Sequence, residues 1–142
     1  MTTKPKSGYE TVGGMSYLPR MLDKIRLYAR GELHPDFHAN LGLAMGGDGF
    51  CCAFLRVPYA EIKAKTLEGA TDEEVLQWGL DRGGRKFEPI DLILWNEFGR
   101  KLGWNDRATP NLAKLKAESG LAHRDDIMTI FDYCDVDEGR KP

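Results

Sequence analysis

Long hydrophobic runs are absent from the 142-residue sequence, and no apolar stretch approaches the roughly 20 residues that a membrane-spanning helix requires. An excess of positive charge is absent as well, because 20 Lys and Arg residues are set against 22 Asp and Glu residues. Nucleic-acid-binding domains are usually basic, so this balance argues against a nucleic-acid ligand. We therefore expect neither a membrane nor a nucleic acid as a partner.

Cysteine and histidine are scarce, with three residues of each. Cys51 and Cys52 are adjacent, and neighbouring cysteines rarely form a disulfide with each other. Residues 1–14 contain no apolar stretch that could serve as a signal peptide. These features together predict a cytoplasmic protein with reduced thiols. No cofactor is evident, because the glycine-rich loop 46–49 follows no predicted strand and so fits no nucleotide-binding fingerprint.

Helix-forming patterns cover most of the remaining chain. Apolar residues recur at steps of three and four between residues 16 and 30, which predicts a first helix there. Six further helices are predicted to begin near residues 48, 58, 71, 89, 109 and 124. Capping residues, prolines or the onset of helical apolar spacing indicate these starts. No run of alternating Val, Ile or Thr predicts a strand. The expected fold is therefore all-α, a compact bundle of about six or seven short helices with no sheet.

The predicted domain organisation is simple. Residues 1–14 are polar and glycine-containing, and we expect them to form a flexible lead-in. Residues 15–135 are expected to form a single helical domain, since a chain of this length can bury a core without disulfides. Residues 136–142 are expected to form a charged C-terminal tail.

Five short motifs resemble the pattern of one bacterial family. The most specific is GMSYLPRMLDKIR at residues 14–26, which resembles the opening signature of the domain-of-unknown-function family 5069. The weaker motifs follow in the expected order: GATDEEVLQW at 69–78, WNEF at 95–98, GWND at 103–106 and DEGR at 137–140. The resemblance implies a helical bacterial protein. It supplies no catalytic residues, since the family is uncharacterised.

One segment departs from the family's pattern. Residues 32–47 are expected from the family to be rich in Tyr and Asp, but here they contain HPDFH at residues 34–38. Any site built on this loop would therefore be particular to this chain.

The first predicted helix carries an unusual concentration of charge. Four cations, Arg20, Lys24, Arg26 and Arg30, surround the single carboxylate of Asp23 on about three turns. Residues three and four apart are neighbours on a helix, so the carboxylate can orient the cations beside it. Arginine grips phosphate and carboxylate groups in bidentate fashion, and such a cluster suits an anionic ligand. The alternative is a solvated helix face held by weak ion pairs.

The favoured interpretation is a small helical domain that binds an acidic, phosphate- or carboxylate-bearing metabolite through this helix. It predicts that the cations converge on a cleft, with Tyr17 or Trp95 as a wall. No residue pattern establishes a reaction, so the assignment as an enzyme stays open. An alternative is a protein-interaction or homodimerisation module, in which the cationic first helix docks an acidic partner or a second copy; it predicts a flat and partly apolar face.

A further alternative is a metal-dependent enzyme. His34 and His38 lie four residues apart with Asp36 between them, and these three side chains could meet around zinc or iron. Pro35 disfavours a regular helix here, so a loop would have to bring the three groups together. The alternative for this segment is a surface loop with two exposed imidazoles.

Overall fold

The computed structural model describes residues 1–142 and contains seven α-helices, one 3₁₀ helix and one hairpin. The strands of the hairpin are β1 (Thr11–Val12) and β2 (Met15–Ser16). The α-helices are α1 (Leu18–Ala29), α2 (Gly47–Leu55), α3 (Tyr59–Leu67), α4 (Asp72–Arg82), α5 (Pro89–Lys101), α6 (Thr109–Glu118) and α7 (Ile130–Asp137). The 3₁₀ helix Pro35–Asn40 lies between α1 and α2. The mainly helical class is confirmed.

The hairpin corrects the prediction of a fold without any sheet. Val12 pairs with Met15 and Thr11 with Ser16 in an antiparallel register. Gly13 and Gly14 between them have φ angles of 55° and 81°, and two successive positive values are what a type I′ hairpin turn requires. Strands of two residues are too short to produce an alternating pattern, so the sequence signal was the glycine pair alone.

The two ends of the chain belong to the packed structure. In the segment expected to be a flexible lead-in, Pro5 and Ser7 are buried, and Thr3 forms a bridge with Leu33. Gly8 lies so close to the ring of Phe131 that a Cβ there would approach its Cε1 atom to 2.8 Å. At the other end, α7 continues to Asp137, within the segment expected to be a tail. Packing against the helices therefore orders residues that composition alone marks as mobile.

Helix α1 is central because its apolar stripe contacts several other elements. Leu18, Met21, Leu22 and Ile25 are all at most 2% exposed and belong to a core of 16 buried residues. Helices α2, α3 and α4 and strand β1 pack against α1. A smaller second cluster of three buried residues fills the space between α6 and α7. None of the helices has both the length and the apolar character needed to span a bilayer.

Helix α7 begins six residues later than the predicted start near residue 124, at Ile130. Thr129 supplies the N-cap, since its hydroxyl accepts a hydrogen bond from the Asp132 amide at 3.2 Å. The Nζ atom of Lys116 donates to the carbonyl oxygens of Arg124 and Ile127. A side chain from α6 therefore stabilises an irregular segment where local periodicity predicts helix.

Candidate functional site

The cations of α1 do not converge on one cleft, because each meets a different part of the chain. Arg20 is 6% exposed and forms a bidentate pair with Glu138, with nitrogen–oxygen distances of 2.8 and 2.7 Å. The same guanidinium also donates to the carbonyl of Lys6 at 2.8 Å. Arg20 therefore links α1 to both ends of the chain.

Lys24 forms the most enclosed of these pairs. Its Nζ atom lies 2.8 Å from Asp48 Oδ1, and the two side chains are 4% and 0% exposed. The Tyr17 hydroxyl donates to the same carboxylate oxygen at 2.7 Å and accepts from Lys24 at 3.2 Å. The Gly42 amide donates to Asp48 Oδ2 at 3.0 Å. Burial lowers the pKa of Lys24, while the Asp48 carboxylate opposes that shift.

The remaining charged residues of α1 are also engaged. Arg26 pairs with Asp72 at 2.6 Å and donates to the Ala70 carbonyl at 3.0 Å. Asp23 does not orient the neighbouring cations; its carboxylate accepts from the Lys6 amide at 2.9 Å. Arg30 forms an exposed pair with Glu32. Every cation of the predicted cluster thus has a carboxylate partner within the chain.

Trp95 occupies a structural position in the core. Its indole Nε1 donates to the Ser16 carbonyl at 2.8 Å, and its ring stacks on Phe54 at a centroid distance of 4.7 Å. Of the predicted wall residues, Tyr17 alone hydrogen-bonds a cation of α1, namely Lys24.

Tyr17 has an unusual backbone conformation. Its φ and ψ angles are 74° and −36° at the N-cap of α1, and only two other non-glycine residues have positive φ. Gly47 leaves room for the Tyr17 side chain, because a Cβ at position 47 would collide with the phenol ring. Burial, followed by the nearby Asp48 charge, raises the pKa of the Tyr17 phenol well above its usual value. The phenol therefore stays protonated and donates its hydrogen bond.

Asp48 and Glu138 are the partners that sequence reasoning missed. Asp48 was predicted to cap a helix and lies in the first turn of α2, where it is 1% exposed. It lies 31 residues from Tyr17, and Glu138 lies 118 residues from Arg20. No periodic signal connects positions so far apart. The indications of Glu138 were its place in the DEGR motif and the acidic charge of a segment expected to be a tail, and neither points to Arg20.

The three metal-ligand candidates do not form a chelating set. The Nδ1 atom of His34 accepts from the Asp36 amide at 3.2 Å, as the N-cap of the 3₁₀ helix. The Nε2 atom of His38 lies 3.0 Å from the Leu33 carbonyl, and its ring packs edge-on against Tyr28. No group of three His, Cys, Asp or Glu side chains in the protein has a geometry that could hold a metal ion.

Helix α5 carries an apolar face that is largely uncovered, although its Phe98 meets the ring of Phe50 on α2 edge-on at a centroid distance of 5.6 Å. Ile90, Ile93, Leu94 and Phe98 are 54%, 56%, 62% and 42% exposed, and we call these four residues the α5 face. They share one side of the helix, since their spacing follows the three- and four-residue steps of helical neighbours, and by the same spacing the exposed Glu97 lies among them. The opposite side supplies the buried Trp95 and Gly99. The apolar stripe that sequence periodicity detects on α5 is therefore the solvent-facing one.

These features define a small, mainly helical protein whose central helix has its charges neutralised internally. The chain belongs to the family described as Domain of unknown function (DUF5069), whose model matches residues 2–140. This match confirms the family resemblance seen in the sequence. No curated protein matches the chain.

Proposed function

We propose that this protein is an interaction domain that forms a homodimer through the α5 face. The observation that carries the proposal is the exposure of Ile90, Ile93, Leu94 and Phe98 on one helix. Isolated apolar residues are normal on protein surfaces, but a contiguous group on one helix face is typical of an interaction site. Burying such side chains against a partner removes apolar surface from water and stabilises the complex.

Charge distribution along α5 favours a second copy of the chain as the partner. The N-terminal end is acidic: Glu88 at the N-cap is exposed, whereas Asp91 in the first turn already pairs with Arg85. The C-terminal end is basic, and Lys101 in its last turn has a side chain that is 62% exposed. Most homodimers are two-fold symmetric, and antiparallel pairing of two α5 helices about such an axis sets each acidic end against a basic end.

Anion binding by α1 has less support from the geometry. Arg20, Lys24 and Arg26 would each have to leave a carboxylate to hold a phosphate or carboxylate ligand. Separating Lys24 from Asp48 would leave buried charges without a partner, which is costly. The metal-dependent alternative depends on His34, Asp36 and His38 and would need the loop to rearrange. The cytoplasmic location and bacterial source inferred from the sequence stay predictions.

Sedimentation equilibrium over a concentration series tests the homodimer. We expect the wild-type mass to rise from 16.0 kDa towards twice that value as concentration increases. Leu94→Glu places a charge at the centre of the α5 face and should weaken dimerisation at least about tenfold, since central apolar residues dominate interface energies. Leu67→Glu is the matched control, because Leu67 is 46% exposed on α3 and should tolerate the change.

Circular dichroism and thermal melting of both variants show whether each is folded. A wild-type protein that stays at 16.0 kDa up to its solubility limit would overturn the homodimer. Equal weakening by the Leu94 and Leu67 substitutions would show that α5 is not the interface.

A further inference from the structure

A cleft of about 270 Å³ lies between the hairpin, α5 and α7. Its lining combines one cation and two aromatic rings with small polar groups; the residues are Tyr9, Thr11, Ser16, Asn96, Arg100 and Phe131. The size suits a ligand smaller than a typical drug molecule, for which pockets start at about 300 Å³. None of these residues belongs to the α5 face.

Ser16 provides the first indication of a ligand. It is 6% exposed, and its hydroxyl is the only buried side-chain oxygen or nitrogen in the protein without a hydrogen-bond partner. The residue is held firmly, since its amide donates to Asn96 Oδ1 at 2.9 Å and its carbonyl accepts from Trp95 at 2.8 Å. A buried hydroxyl without a partner is destabilising, and such groups in native proteins need an explanation. A ligand in the cleft would supply the missing partner.

Arg100 provides the second indication. Seven of the ten arginines in the chain form ion pairs with carboxylates, as Arg26 does with Asp72 and Arg85 with Asp91, whereas Arg56 and Arg107 form none. Arg100 has no such partner, and it is the only charged residue that lines the cleft. Its fork of N–H groups is therefore free to hold an anion in bidentate fashion.

We propose that this cleft binds a small organic carboxylate. One guanidinium matches the single negative charge of a carboxylate, and its parallel N–H groups fit the two carboxylate oxygens in bidentate fashion. The Ser16 hydroxyl hydrogen-bonds the same anion, and Thr11 lies at the exposed edge. The rings of Tyr9 and Phe131, which meet edge-on at 5.2 Å, contact the apolar body of the ligand. This site is separate from the charged residues of α1.

Calorimetric titration with benzoate and phenylacetate tests the proposal. At least one of them should bind to the wild type, and benzamide, the neutral analogue of benzoate, should bind much more weakly. Arg100→Gln and Ser16→Ala should each weaken carboxylate binding, the former by at least about tenfold. Arg107→Gln is the matched control, because Arg107 is an exposed arginine that lies outside the cleft. Leu94→Glu should leave binding unchanged, which separates this site from the proposed dimer.

The outcomes that would overturn the proposal are distinct. Binding of neither carboxylate at millimolar concentration, or equal binding by Arg100→Gln, would exclude the site. Tighter binding of phenyl phosphate than of benzoate would show that the ligand class is wrong. The Ser16→Ala variant adds a measurement without ligand: its melting temperature should not fall, since the substitution removes a hydroxyl that has no partner.

Discussion

The ion pair between Lys24 and Asp48 is almost completely removed from solvent, with side chains 4% and 0% exposed. Burying two charges carries a large desolvation cost, which the protein offsets with short contacts and additional hydrogen bonds. Tyr17 and Gly42 donate to the carboxylate, so neither oxygen lacks a partner. The pair therefore contributes a specific connection between α1 and the start of α2.

Lys24→Met should lower the free energy of unfolding by about 3–5 kcal/mol, because it leaves the Asp48 carboxylate buried without a cation. Arg30→Met is the matched control: its pair with Glu32 is exposed, and its loss should cost about 0–1 kcal/mol. Urea denaturation of both variants measures the difference. Equal losses in the two variants would contradict the role assigned to the buried pair.

At the scale of the element, α5 has apolar residues on two sides. Trp95 and Gly99 pack into the molecule, while the α5 face remains outside. A helix that carries apolar side chains on more than one side is usually buried by other protein surface on those sides. The two ends of α5 differ in charge, and this difference favours one way of pairing two copies. Antiparallel pairing places opposite charges together, whereas parallel pairing places like charges together.

Reversing the charges at the two ends of α5 tests whether two copies of the helix pair antiparallel. Lys101→Glu should weaken dimerisation, since it places two acidic groups opposite each other in an antiparallel pair. Adding Glu88→Lys to that variant should restore part of the lost affinity. The loss of the exposed Glu97–Lys101 contact is common to both variants and cancels in the comparison. Sedimentation of the single and double variants measures the effect, and a double variant weaker than the single one would argue against antiparallel pairing.

At the scale of the whole molecule, ion pairs around Glu138 and hydrogen bonds from Arg20 and Arg140 to backbone carbonyls join the two ends of the chain. Glu138 holds Arg20 and also lies 2.6 Å from Arg140, and the Arg140 guanidinium donates to the carbonyl of Pro5. Lys141 pairs with Asp132 at 2.9 Å. The termini therefore fold together with the core, and the fold extends beyond the boundaries of residues 15–135 expected from composition.

Buried and partly buried tyrosines distributed over the molecule predict its behaviour at alkaline pH. Burial, followed by the hydrogen bond to Asp132, raises the pKa of Tyr9 from 10.0 to about 12. Burial also raises the pKa of Tyr17, Tyr59 and Tyr133. These phenols hold their protons longer when folded than when unfolded, so stability is lost as the pH rises from about 10 to about 12.

Two measurements check this pH dependence. The tyrosinate absorbance of the folded protein should lag behind that of the urea-unfolded protein throughout this pH range. The free energy of unfolding should decrease over the same range. Identical tyrosinate titrations of the folded and unfolded protein would contradict the burial of these phenols.

Local chemistry made much of the helical framework predictable. Thr71 and Glu74 form a capping box at the helix start predicted near residue 71, with hydrogen bonds of 3.0 and 3.2 Å between side chains and amides. The start of α5 at Pro89 and the end of α1 before Gly31 also agree with the sequence signals. These features depend on residues only a few positions apart, and so the sequence contains the information directly.

The candidate sites could be predicted only in part. The charged residues of α1 stand out in the sequence, but their partners Asp48, Asp72 and Glu138 lie on distant segments. The cleft around Ser16 and Arg100 joins positions 84 residues apart by their numbering, and although Ser16 lies in the family motif at residues 14–26, nothing in the sequence connects it to Arg100. Helical periodicity also cannot tell which apolar side of α5 faces the core.

The sequence by itself determined the helical class, most helix ends and the family, because caps, periodicity and motifs act over short distances. The tertiary structure alone decided how the charges of α1 are used, since an ion pair depends on which segments the fold brings together. It also decided that the apolar stripe of α5 faces solvent, because burial depends on how much neighbouring surface is available to cover a helix.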